Sequence, residues 1–96
     1  YLSDHGQEVG HGSNNAGHSA FSESGYRIPT LLWQAPAQAL PPGRDQVPLR
    51  SDWSGHTLMG LLGVTWTGAD ASRDVLDPRY TWRAPQLPTA VESFTR

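Results

Sequence analysis

The chain contains no cysteine and no lysine, and no apolar run in it approaches the ~20 residues a membrane-crossing helix needs. Without cysteine there is no disulfide and no thiolate zinc site to staple the fold, and cysteine usage does not mark the redox compartment. All seven basic residues are arginine, they are scattered, and the formal net charge is −2. That excludes the electrostatic footprint of a nucleic-acid binder. No Gly-x-Ser-x-Gly elbow occurs, so nothing supports a serine hydrolase. The chain opens inside a strand-like pattern rather than a signal-peptide pattern, which leads us to expect a fragment cut from a longer protein. Hydrophobic residues make up only 36% of 96 residues, against eight prolines and ten glycines. A chain this small and loop-rich buries a modest core. Residues 1–96 are therefore expected to form a single incomplete domain, leaning on the N-terminal remainder of the same protein or on self-association.

What is present begins with Tyr1-Leu2-Ser3-Asp4-His5-Gly6. Neighbouring side chains of a regular strand point to opposite faces, so Asp4 and His5 share a ligand only where the strand ends. Gly6 frees the backbone at that point and lets both converge. In open α/β sheets, ligands bind beyond the carboxyl ends of strands. Asp4 and His5 are thus read as two ligands of one metal ion whose other ligands lie outside the chain. The competing reading is a plain Asp-Gly turn, which the same residues favour.

Residues 7–19 carry glycines, two asparagines, His11 and His18, and form a long polar loop that is either functional or a flexible connector. Tyr26-Arg27-Ile28-Pro29-Thr30-Leu31-Leu32-Trp33 is near-continuously apolar and predicts a strand buried on both faces, with Pro29 at its start or on an edge. The prolines between residues 34 and 50 predict an irregular surface excursion. A helix is predicted from Asp52 to Leu62, capped by Ser51 or Ser54, with Trp53, Leu58, Leu61 and Leu62 on one apolar stripe. Gly55 and Gly60 weaken it by roughly 1 kcal/mol each relative to alanine. Gly63 provides its C-terminal stop. Val64–Thr67 is a candidate short strand, and turns follow around Asp70–Asp74.

His5, His11 and His18 could form a three-histidine zinc site, but their spacing matches no tight ligand pattern. His56, beside the apolar stripe, reads as a packed or solvated helix histidine rather than a ligand. Asp70, Ser72 and Asp74 imitate the start of a calcium loop, yet Val75 stands where glycine is required and Thr81 where glutamate is. Arg79, Tyr80, Trp82 and Arg83 read as core edge and surface packing rather than a nucleic-acid patch.

Taken together, Ser3-Asp4-His5-Gly6 with its glycine- and histidine-rich loop, and then Tyr26–Trp33, resemble the C-terminal part of the sulfatase-like phosphoethanolamine transferases of the alkaline phosphatase superfamily. Ser54-Gly55-His56-Thr57-Leu58-Met59-Gly60-Leu61-Leu62-Gly63-Val64 is similar to that family's His-Thr-Leu-Leu-Gly helix. Asp70-Ala71-Ser72-Arg73-Asp74-Val75-Leu76-Asp77-Pro78 resembles a motif of the branch that modifies lipopolysaccharide core heptose. The likeness covers about residues 1–80. Relatives often read Ser-Asp-His-Gly-Glu, where Gln7 stands here and Glu8 follows.

The resemblance implies an α/β fold of a few mostly parallel strands plus one main helix, within a periplasmic catalytic domain carried on a membrane-spanning N-terminal region. It implies zinc, with manganese possible, held at Asp4 and His5 together with a glutamate and a nucleophilic threonine outside this chain. It also implies that a histidine contacts the phosphoryl group, His18 being the better match and His11 the second. Phosphatidylethanolamine would be the donor and lipopolysaccharide (core or lipid A) the acceptor. A sulfatase or phosphodiesterase of the same superfamily, and a non-catalytic interaction module, are the alternatives.

Overall fold

Extended segments pair only in isolated bridges among the residues described by the computed structural model, which are 1–10, 16–18 and 22–87. Leu2 bridges Thr30 and Glu8 bridges Gly17, both antiparallel. Around the first, the Leu31 N–H donates to the Tyr1 carbonyl at 3.0 Å and the Ser3 N–H to the Pro29 carbonyl at 3.5 Å. Pro29 has no N–H to return, so this ladder cannot extend past it.

The strand expected over 26–33 is therefore corrected. Tyr26 closes a short helix, α1, Glu23–Tyr26. Leu31, Leu32 and Trp33 are exposed rather than buried on two faces, Trp33 to 81%. The parallel pairing expected of the sheet does not occur among the described residues.

Two compact units make up the chain, Tyr1–Gln34 with Ala84–Arg96, and Ala35–Arg83. The second is built on α2, Ser54–Leu62, which continues from a 3-10 turn, Ser51–Trp53. Neither serine caps it through its side chain, since Arg50 and Trp53 occupy the cap positions. The stop at Gly63 is as expected: its φ is 68°, and the Val64 N–H reaches back to the Met59 carbonyl at 2.9 Å. Val64–Thr67 forms no strand, and the Ala69 N–H closes a turn onto the Trp66 carbonyl at 3.0 Å.

The apolar stripe of α2 is not the face that packs. Leu58, Leu61 and Leu62 are 54%, 42% and 64% exposed. The helix docks instead through His56, Thr57 and Gly60. The Thr57 hydroxyl oxygen accepts the Val75 N–H at 3.2 Å, His56 Nδ1 accepts the Asp70 N–H at 3.4 Å, and Gly60 lies against the Asp74 carboxylate. Asp70 in turn accepts from the Ser72 N–H at 2.9 Å and caps the 3-10 turn Ala71–Arg73.

The apolar centre of this unit is Trp53 against Tyr80, edge to face with 6.2 Å between ring centroids. Arg50, Arg73 and Arg83 place guanidinium groups 4.3, 5.7 and 5.0 Å from the Trp53 ring, a cation–π surround that closes a small core with long side chains. Arg50 is held there by a two-pronged pair with Asp52 at 2.9 and 2.6 Å. The Tyr80 hydroxyl donates to the Pro48 carbonyl at 2.7 Å, and Arg44 donates to the Asp77 and Pro78 carbonyls. Residues 34–50 otherwise follow the irregular course expected of their prolines. Tyr80 and Arg83 serve packing, as expected, whereas the exposed Arg79 pairs with Asp77.

Candidate functional site

The Ser3–Gly6 turn is pinned to α1. Gly6 is buried and its N–H donates to the Gly25 carbonyl at 2.9 Å. A Cβ at Gly6 would run into the backbone carbonyl oxygens of Ser24 and Arg27, so only glycine permits this approach. The Ser3 hydroxyl donates to the His5 carbonyl at 2.9 Å and tightens the same turn.

With its backbone fixed, the His5 ring is oriented by its neighbour. Nδ1 lies 2.7 Å from the Gly6 carbonyl oxygen. A carbonyl can only accept, so Nδ1 carries a proton; in the neutral ring Nε2 then keeps its lone pair, the arrangement that prepares an imidazole for a metal. Asp4 Oδ1 stands 3.8 Å from that Nε2, beyond hydrogen-bonding range, and the carboxylate is 90% exposed. Two ligands of one tetrahedral zinc ion, each at about 2.0–2.2 Å from it, sit about 3.3–3.5 Å apart. The pair is within a few tenths of an ångström of that span. It therefore fits half of a zinc site. Among the described residues no group of three or more such side chains is placed to complete it.

His18 arrives from the far side of the polar loop. Glu8 and Gly17 exchange backbone hydrogen bonds at 2.9 and 2.8 Å, closing the loop at its base. Gly17 then turns at φ 136°, a conformation that strains any other residue, and delivers His18. The His18 and His5 rings meet with centroids 3.9 Å apart, tilted by 57°. His5 is thus the shared neighbour of Asp4 and His18, while His11 lies outside the described residues.

The residue that sequence reasoning undervalued is Glu8. It is fully buried in a loop where every composition signal pointed to solvent. Its Oε1 accepts the Gly10 N–H at 2.7 Å and its Oε2 accepts the Ser24 hydroxyl at 2.6 Å. Ser24 also meets the buried Ser22 hydroxyl at 3.1 Å. The one signal available was a lone acid beside the metal-like turn.

His56 is a packing residue, as expected, its ring 5.1 Å from that of Trp66. No helix among the described residues is long and apolar enough to cross a membrane. No family model matches this chain, and no curated protein or solved structure matches it either.

Proposed function

We propose that this chain is the C-terminal part of the catalytic domain of a metal-dependent phosphoethanolamine transferase. The whole enzyme moves phosphoethanolamine from phosphatidylethanolamine to lipopolysaccharide, core or lipid A, at the periplasmic face of the bacterial inner membrane. The N-terminal remainder of the protein completes an α/β, sulfatase-like fold and supplies the nucleophile and the other metal ligands. One observation carries the proposal. His18 is brought ring to ring with His5, whose Nε2 faces Asp4, so His5 links the residues that the family resemblance assigns to metal and phosphoryl group within the first unit.

Asp4 and His5 would hold zinc or manganese, an N/O donor pair suited to either. When bound, such an ion offsets charge on the phosphoryl oxygens and lowers the pKa of a hydroxyl beside it. The Gly6 carbonyl keeps His5 in the ligating tautomer. The exposed Asp4 carboxylate reaches its ion without rearranging a core. His18, beside the pair rather than part of it, donates an N–H to a phosphoryl oxygen and can pass a proton to the leaving group.

The test is product identity. Full-length protein receives phosphatidylethanolamine with lipopolysaccharide, and separately an aryl sulfate ester and a simple phosphodiester. A lipopolysaccharide adduct heavier by one phosphoethanolamine is expected. Release of sulfate or phosphomonoester with no adduct would make the enzyme a hydrolase and end the transferase proposal.

A further inference from the structure

We infer that Glu8 is the positioning residue of this site: its backbone holds the His18 limb while its buried carboxylate docks that pairing on α1, and together they set His18 against His5. The inference rests on the proposed site for its functional meaning, but not for its geometry. Three connections converge on this one residue. Its backbone pairs with Gly17 on both N–H and C=O, which fixes the residue immediately before His18. Its Oε1 takes the Gly10 N–H and so holds the outgoing limb of the loop. Its Oε2 takes the Ser24 hydroxyl on α1, the helix whose Gly25 carbonyl anchors Gly6 and therefore His5. One residue thereby ties the His18 limb, through its backbone, to the His5 turn, through its side chain and α1.

Burial decides the role. Both Glu8 oxygens accept hydrogen bonds within the protein and the residue has no exposed surface, which suits a group that positions others. Burying a carboxylate costs several kcal/mol unless its hydrogen bonds are satisfied. A loop that only connected two segments would gain nothing from such a group. Glu8 acts instead as partners beyond the first ligand layer act at metal sites, where their loss typically weakens metal binding about 10–100-fold.

The experiment uses the full-length protein with 13C-labelled histidine. The magnetisation-transfer contact between the His5 and His18 ring protons and the zinc affinity are measured in the wild type, Glu8→Gln and Glu8→Ala. Amide hydrogen exchange at Tyr80, whose N–H is bonded to the Asp77 carbonyl, controls for the second unit. Glu8→Ala is expected to lose the ring contact and to weaken zinc binding about tenfold or more, with the Tyr80 protection unmoved. Glu8→Gln keeps an acceptor for Gly10 and a partner for Ser24, and is expected to retain the contact better than Glu8→Ala. Should Glu8→Ala unfold the first unit, Ser24→Ala removes only the Oε2 donor and is expected to weaken the contact in a folded protein. If the ring contact depends on Glu8 but the wild type takes up no zinc, the positioning role stands and the metal proposal fails. An unchanged ring contact in Glu8→Ala, or in Ser24→Ala where that variant takes its place, overturns the inference.

Discussion

Gly60 of α2 lies directly against the carboxylate of Asp74, and that carboxylate in turn accepts the Leu76 N–H at 2.9 Å. The contact explains why a helix already weakened by one glycine carries a second. Gly55 faces open space, so Gly55→Ala is expected to stabilise the protein by up to about 1 kcal/mol through helix propensity alone. Gly60→Ala offers the same propensity gain but must push Asp74 off Leu76, and is expected to be neutral or destabilising. Paired denaturant titrations of the two variants check this. Equal stabilisation by both would mean that α2 does not dock on Asp74.

Gly6 makes a tighter approach, against backbone rather than a movable side chain. Gly6→Ala is expected to cost about 1–3 kcal/mol, the range for forcing extra volume into a packed place. Amide hydrogen exchange at residue 6, whose N–H is bonded to the Gly25 carbonyl, should accelerate by the corresponding factor. Unchanged protection would show that the His5 turn is not seated on α1.

Tyr80 joins the core to the proline-rich excursion. Burial pushes its phenol above the ordinary value, and its hydroxyl donates to the Pro48 carbonyl. Tyr80→Phe is expected to cost about 1 kcal/mol, the usual net worth of such a bond. Trp53→Ala, which removes the centre of the second unit, should cost about 3–5 kcal/mol. Denaturation followed by circular dichroism measures both. A Trp53→Ala loss no larger than that of Tyr80→Phe would contradict the account of this core.

Asp77 sets an acid limit. Hydrogen bonds from the Arg79 side chain and backbone N–H hold its carboxyl at about 2, below the ordinary 3.8. A carboxyl depressed by folding contributes stability that is complete above the unfolded value and is lost as pH falls through the folded one. The loss is therefore expected between about pH 4 and about pH 2. The 13C shift of the Asp77 carboxyl should titrate near the lower end, and Arg79→Ala should return it toward the ordinary range. Titration at the ordinary value in the parent protein would remove this contribution.

Features set by near neighbours were legible in the sequence, and those set by long-range partners were not. The stop at Gly63 and the Asp70–Asp74 turns follow from local backbone chemistry, and both are present. The Asp4-His5-Gly6 turn was readable for the same reason. The periodicity of Leu58, Leu61 and Leu62 correctly marked an apolar face but could not say whether the chain covers it. The docking of α2 runs through His56, Thr57 and Gly60, small or polar residues that carry no periodic signal. Tyr26–Trp33 misled because apolar content alone does not supply a neighbouring strand. Glu8 was named in the family pattern, but its burial was not legible because it depends on Gly10 and Ser24 arriving from two directions.

The most direct measurement of the central claim is the zinc content of purified full-length protein, compared between the wild type and the Asp4→Ala/His5→Ala double variant. Stoichiometric zinc in the wild type and none above buffer in the folded double variant is the expected result. Equal zinc in both proteins would contradict the assignment of Asp4 and His5 as metal ligands.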